Sequence, residues 1–445
     1  MKAEQHMDTH IFWGRPLAFG AICSLFILPT ACDDTNPESD EILVINSDGS
    51  VVGREGAPGQ QAAGDGGGFA TDNMTPVADV PMTPSSTVEE VRINGVSITE
   101  GRSSDLTIEL PDNVSSLTIL GFGDTSVFYC VEHLVGPNGA VLVSEMPPGV
   151  TLRPTDSQLS PCPGAFRSAN RSATSATEIT ELLAPNNASV AVTPGTWTFR
   201  IGAFGQFARV TSFIDVILLI KTEAVPQVRG EMDVHLFFTG TLGWTAANAP
   251  TNPQFQAALE RMRSFYTEVG IEIGAVTYDD IPAEFREVDA GPQGPGPYDG
   301  KLHRMFRLNT YSTGIGLFFV DRIGDAMLGG VIGGIAGGTP GPSLQAGTSR
   351  SGIAVATALD PNPQSIGHIM GHETGHFLGL YHTIELAGLG QVTDQINDTP
   401  EGFIAQDNLM FPTVTSGAAQ FSDEQGWVLH RSPVIVGLPA TGAVQ

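Results

Sequence analysis

Four of the chain's ten histidines fall within fifteen residues, in the run His368-Ile369-Met370-Gly371-His372-Glu373-Thr374-Gly375-His376-Phe377-Leu378-Gly379-Leu380-Tyr381-His382. On a helix, His372 and His376 leave the same face one turn apart and can share a metal ion. Glu373 sits beside the first of them, where it can hold a water on that metal. Gly379 suits a left-handed turn that stops the helix, so that the chain reverses and returns His382 as a third ligand. Three neutral imidazoles with a fourth position left open are the ligand set of a catalytic Zn²⁺ rather than of a closed structural site. The expected chemistry is metal-assisted hydrolysis. Glu373 acts as general base on a water attacking a polarised peptide carbonyl, and then passes the proton to the leaving amine. His368 stands about 12 Å along the helix from His376, too far to share a tetrahedral ion with both other histidines. It is read as a structural residue or as a group behind the ligands. A glutamate as third ligand is the rival arrangement, but Glu385 follows His376 too closely for a second helix and Glu401 has no partner motif.

The elements that must position these residues are legible around them. Asn362 is a candidate cap and Pro363 a first-turn residue for the histidine helix. Upstream, a strand is expected over 232–238 and a helix over 252–269, with Phe255, Leu259, Met262 and Phe265 on one face. Further strands are expected over 271–276 and 314–320. This grammar predicts an α+β domain over 229–437, a mixed sheet backed by helices. A Gly-rich stretch over 328–352 leads to 353–357, expected to be an edge strand able to accept an extended peptide. From 91 to 225 short alternating runs over 105–110, 116–120, 140–143, 189–192 and 197–201 are separated by turn residues, which predicts an antiparallel β-sandwich domain.

The N-terminus is different in kind. Lys2 and Arg15 precede an apolar stretch that ends in Leu28-Pro29-Thr30-Ala31-Cys32, read as a signal peptide over 1–31 with Cys32 as a lipid-attachment site; simple secretion and an uncleaved anchor are the alternatives. Residues 32–90 form a tether, because from 33 onward 12 acidic residues and one basic residue share a Gly- and Pro-rich background. With Cys23 lost in the signal and Cys32 lipidated, Cys130 and Cys162 remain, and in an oxidising compartment they are expected to pair. Two buried thiols, or Cys162 plugging the metal as a latency device, are the other readings. The net charge of −27 repels phosphate backbones and anionic lipid, which argues against nucleic-acid partners and leaves the lipid anchor as the membrane contact.

The segment HETGHFLGLYH matches the metzincin metalloprotease pattern HExxHxxGxxH at every specified position, and Asn408-Leu409-Met410-Phe411 resembles the turn whose methionine lies beneath the zinc in that clan. Within the clan, the run through Asp398-Thr399-Pro400 to Met410, with Phe421-Ser422-Asp423-Glu424-Gln425 after it, is most similar to the pappalysin and cytophagalysin group. The cysteines common in that group between the third histidine and the methionine are absent, and no tyrosine closely follows Met410. Pro194-Gly195-Thr196-Trp197-Thr198-Phe199-Arg200 resembles a late strand of the accessory sandwiches found beside secreted bacterial peptidases. The resemblance implies a zinc endopeptidase acting on protein or peptide substrates; the alternative is a non-catalytic surface lipoprotein with a zinc-stabilised scaffold.

A second metal is also expected as a possibility. Asp394, Asp398, Glu401 and Asp407 crowd the loop after His382, and calcium takes six to eight oxygen ligands of this kind. Resemblance to pappalysin-type enzymes, some of which hold Ca²⁺ there, favours it; the competing reading makes Asp398 a loop-ordering residue.

Overall fold

The computed structural model describes residues 85–146, 161–172, 177–205, 208–290, 300–325, 330–387, 390–399, 406–413 and 419–439. The expected signal, most of the tether, Cys32 and Glu401 lie outside these residues.

Alternation of branched and aromatic residues with polar ones produces nine strands in the N-terminal half. They are β1 (Ser86–Thr99), β2 (Arg102–Ser103), β3 (Leu106–Leu110), β4 (Val114–Gly123), β5 (Phe128–Val135), β6 (Val141–Val143), β7 (Ile179–Ala184), β8 (Gly195–Phe204) and β9 (Ser212–Glu223), with the short helix α1 (Pro163–Phe166) between β6 and β7. They join in the order β6-β5-β8-β2-β1-β9-β4-β7, with β3 beside β8, and every pairing is antiparallel. All nine are thus hydrogen-bonded into one connected antiparallel sheet. The long strand β1 carries the chain across both halves, and a register shift against β9 between Ile93 and Val96, with Gly95 at φ 65°, gives it room to bend. Ile98, Ile119, Leu134, Ile201 and Ile220 from across the sheet meet in one apolar core.

Two expectations in this half are settled differently or more sharply by the structure. Residues 189–192 are not a strand, because the Asn187 side chain accepts the Ser189 N–H at 3.1 Å and folds the segment into a local turn. Cys130 on β5 and Cys162 at the start of α1 form a disulfide, with Cα atoms 6.6 Å apart, so Cys162 is not available to plug a metal.

The C-terminal half is built on β10 (Gly230–Phe238), α2 (Pro253–Glu268), β11 (Ile271–Asp280), β12 (Glu287–Asp289), α3 (Lys301–Phe306), β13 (Ile315–Val320), β14 (Arg322–Asp325), β15 (Gly330–Ile332), β16 (Gly334–Ala336), β17 (Ile353–Ala356), α4 (Pro363–Phe377), β18 (Ile384–Ala387), β19 (Gly390–Thr393), α5 (Asp423–Leu429) and β20 (Val436–Gly437). The main sheet runs β11-β10-β13-β17-β16, with β20 also on β10. Strands β11, β10, β13 and β17 are parallel, and β16 is antiparallel to β17. The segment 353–357 is thus not the edge strand expected from sequence. Gly334–Ala336, from inside the Gly-rich stretch, pairs on its outer side and takes the edge position. Taken whole, the described chain is mostly β with few helices.

Helix α2 starts where Asn252 accepts the N–H groups of Gln254 and Phe255 at 3.0 Å each, with Pro253 next in the chain. Its buried face, Phe255, Leu259, Met262 and Phe265, meets α4 across a close contact. A methyl group on Gly367 would lie 2.5 Å from the Ala258 carbonyl oxygen, and one on Gly371 would lie 2.7 Å from the Phe265 ring. Glycine at these two positions lets the helices approach this closely.

The two halves are joined through a buried cation. Lys221 on β9 is fully buried, and its Nζ donates to the carbonyls of His430 at 2.6 Å, Ser432 at 3.1 Å and Ile435 at 2.8 Å. Glu223 lies 3.6 Å from Lys221 Nζ and 3.2 Å from Arg431, and Ser116 donates to the Arg431 carbonyl at 2.6 Å. Replacing Lys221 by Met strands three buried carbonyls and leaves Glu223 with Arg431 as its cationic partner, so Lys221→Met is expected to destabilise the chain by about 3–5 kcal/mol. Urea unfolding checks this: an unchanged midpoint would show that the junction does not rest on Lys221.

Candidate metal centre

Helix α4 begins as its sequence suggests. Asn362 accepts the Gln364 N–H at 3.0 Å, with Pro363 in the first turn. The helix ends at Phe377, and Gly379 at φ 115° turns the chain back while Leu380 N–H donates to the Gly375 carbonyl at 2.9 Å. His382 consequently returns against the helix face that carries His372 and His376. One ring nitrogen from each of the three lies within 4.8 Å of the others, and among the described residues this is the one group of histidine, cysteine or acidic side chains placed to share an ion. All three are buried, with 1–2% of their surface exposed.

Each ring is held from behind. His372 Nδ1 donates to the Leu409 carbonyl at 2.6 Å, His376 Nδ1 to the Leu380 carbonyl at 2.7 Å, and His382 Nδ1 to Glu385 Oε2 at 3.1 Å. Carbonyl and carboxylate oxygens only accept, so the proton of each neutral ring sits on Nδ1 and the lone pair on Nε2. Burial keeps the His372 and His376 rings neutral, pushing His372 well below the ordinary imidazole value and His376 down to about 3.

The donor set fits a tetrahedral metal ion. His376 Nε2 and His382 Nε2 are 3.1 Å apart, close to the roughly 3.3 Å separation of two nitrogens bound tetrahedrally at zinc–nitrogen distances. Two lone pairs facing at this range repel, and a cation between them converts the repulsion into two bonds.

Glu373 is buried on the turn of helix between His372 and His376, and it packs on the edge strand: a methyl group on Gly334 would lie 2.5 Å from its Cγ and 2.8 Å from its Oε1. Met410 lies under the helix at Gly375, where an added methyl would come 2.6 Å from Met410 Sδ. The turn around it is tied by Met410 N–H donating to Asn408 Oδ1 at 2.8 Å and by a reciprocal amide pair between Asn408 and Gln425 at 2.8 and 3.1 Å. The same turn presents the Leu409 carbonyl to His372, a contribution the sequence reading did not anticipate.

The remaining acidic and histidine candidates go elsewhere. His368 stands apart from the cluster, edge-on to Phe265 with ring centres 5.8 Å apart, and burial with nearby Arg261 pushes it down to about 4. Glu385 is not a ligand from a second helix but the acceptor for His382 Nδ1. Burial pushes its carboxyl up, but His382 and Arg171 together hold it below the ordinary value. Asp394 accepts from Thr399 Oγ1 at 2.6 Å, and Asp398 accepts the Glu424 N–H at 2.9 Å at the start of α5. Asp398 thus ties the loop to the start of α5. Asp407 lies beside the methionine turn, its carbonyl accepting from Gln420 N–H at 3.1 Å. Gly334 and Arg171 were missed; a glycine in a Gly-rich run and a lone arginine in another domain carry no local signal.

No family model matches the chain. It is 25% identical over 171 residues to an extracellular metalloprotease of Arthroderma benhamiae, covering 38% of this chain and 56% of that protein. It is likewise 25% identical over 192 residues to one from Arthroderma otae, covering 42% and 66%. The chain thus spans roughly half to two thirds of the length of these relatives. Among solved structures, metalloproteinase-II from Bacteroides fragilis aligns over 48% of this chain and 62% of that one, at 12% identity and a TM-score of 0.26. The sequence likeness is thus to metalloproteases.

In a zinc competition titration, His382→Ala is expected to weaken binding by more than about 100-fold, beyond the range for loss of an outer-shell partner, whereas His368→Ala leaves the affinity unchanged. Equal losses in both variants would place His368 in the metal set.

Proposed function

We propose that the protein is a zinc-dependent endopeptidase of metzincin type, closest to the pappalysin group, acting outside the cytoplasm on protein or peptide substrates. The observation that carries the reading is the meeting of three Nε2 atoms whose Nδ1 atoms are each committed to an acceptor. The likeness to extracellular metalloproteases supports it, as does the HExxHxxGxxH pattern with Met410 packed beneath the helix. A mixed sheet with α2 and α4 packed on it agrees with an α+β catalytic domain of that clan.

His372, His376 and His382 would hold the zinc, which when bound supplies Lewis-acid polarisation and acidifies water. Glu373 takes the proton of the attacking water and returns it to the departing amine, so the peptide bond breaks with no net change at the carboxylate. Its place between two ligands and against Gly334 sets it beside the edge strand. That strand, β16, has no further strand on its outer rim among the described residues. An extended substrate would add there by backbone hydrogen bonds, its scissile bond brought level with Glu373. The disulfide and the extracellular relatives support an extracytoplasmic location, with Cys32 proposed as the lipid attachment.

Two experiments test the reading. The purified protein is expected to cleave casein, to stop when zinc is chelated, and to lose about 10²–10⁴-fold in rate in Glu373→Gln with its zinc retained. A Glu373→Gln protein as active as wild type would remove the general base from the mechanism. Gly334→Ala pushes a methyl into Glu373 and is expected to cut kcat by at least about tenfold while zinc affinity stays put, since a small misplacement of a positioned group costs rate; an unaffected kcat would mean Glu373 has room to move.

A further inference from the structure

Arg171 belongs to the N-terminal half, yet its guanidinium is buried within the C-terminal half, with 1% of the residue exposed. It is clamped between the rings of Phe166 and Tyr381, 4.6 Å from each centroid. Its Nη2 donates to the Thr393 carbonyl on β19, and its Nη1 lies 3.9 Å from Glu385 Oε1 on β18. The other oxygen of that carboxylate accepts from His382 Nδ1 at 3.1 Å. Three residues thus form a line from the N-terminal sheet to the third histidine.

The near end of the line is held firmly. Asn170 Nδ2 donates to the Leu183 carbonyl on β7 at 3.0 Å, and Asn186 Nδ2 donates to the Arg171 carbonyl at 2.7 Å. Asn187 Nδ2 donates to the Ala169 carbonyl at 2.7 Å. Phe166, Tyr381 and Val392 pack as a small apolar cluster around the guanidinium. A cation fixed by its own backbone, by two ring faces and by a carbonyl has little freedom, so it sets a fixed positive charge 3.9 Å from the Glu385 carboxylate. Carboxylates behind a ligand imidazole set its ring orientation and basicity.

We propose that Arg171 is a positioning residue of the metal centre, acting through Glu385 to orient His382, so that the third ligand is completed by the N-terminal β domain. The proposal rests on the zinc-site reading above. It makes the N-terminal domain a working part of the enzyme rather than a segment to be shed on maturation.

The test is a double-mutant cycle on zinc affinity in the full chain, read by competition with a chromophoric chelator and by the visible spectrum of the cobalt-substituted protein. Glu385→Gln and Arg171→Met are each expected to weaken zinc binding by about 10–100-fold, with altered cobalt bands, and Arg171→Met is expected to add little once Glu385 is already Gln. Arg171→Lys keeps the charge but loses the planar fork and is expected to fall between; if Arg171→Met does not fold, the same cycle is run with Arg171→Lys. Wild-type affinity in every foldable Arg171 variant, or an undiminished loss in the Glu385→Gln background, overturns the role of Arg171. Absence of stoichiometric zinc binding by the wild type would instead sink the underlying metal-site reading, and the first titration shows which has failed.

Discussion

A histidine can offer a metal only the nitrogen that its other nitrogen leaves free, and the acceptor bound at Nδ1 decides which one that is. In this chain three acceptors from three places make that choice. The Leu409 carbonyl comes from the methionine turn, the Leu380 carbonyl from the reversal after Gly379, and the Glu385 carboxylate from the β18–β19 hairpin. None belongs to the regular turns of α4. The helix supplies the spacing of His372 and His376, and the loops around it supply the aim. Residues far from the cluster, such as Asn408 and Gln425 tying the methionine turn, therefore belong to the same device.

This aim has an energetic consequence. Burial already holds His372 and His376 neutral, and the three rings are gathered into a space where His376 and His382 meet at 3.1 Å. A fold optimised for stability alone would separate them. Metal binding would relieve the contact and so contribute to folding free energy, because the gathered arrangement has no counterpart in the unfolded chain. The glycines along α4 serve the same end. Gly367 and Gly371 draw α2 close, while Gly375 admits the Met410 sulfur under the ligand-bearing turn, leaving the histidine face to the returning chain.

Much of this was readable in advance because it is local. The His372–His376 spacing, the Asn362 cap, and the Gly379 reversal all depend on residues within a few positions of one another. What was not readable depends on pairing across long separations. Residues 353–356 carry the composition of a strand, but whether it is interior or edge depends on where the Gly-rich segment before it folds, and Gly334–Ala336 takes the outer place. Ser189–Val192 alternates like a strand yet is bent by the Asn187 side chain. In the acidic loop after His382, Asp398 accepts from the N–H of Glu424, 26 positions further on at a helix N-terminus, and Asp394 accepts from Thr399. Glu385 was set aside as a third ligand for its closeness to His376 along the chain; what the chain could not show is that it accepts from His382, three residues away, and faces Arg171, more than two hundred away.

The junction between the two halves shows why such long-range contacts are polar at all. A chain with 21 basic residues among 69 charged ones buries two cations of its N-terminal half, Lys221 and Arg171, at the junction with the C-terminal half. Buried ionic groups return little net stability compared with apolar packing of the same volume. An apolar junction, however, can slide by a fraction of a side chain at small cost, whereas Lys221 fits only where three carbonyls converge and Arg171 only between two rings and a carboxylate. The cations thus exchange some stability for register. That exchange suits a junction through which one half positions a group in the other, and the Arg171 line ends at His382, the third ligand of the proposed metal site.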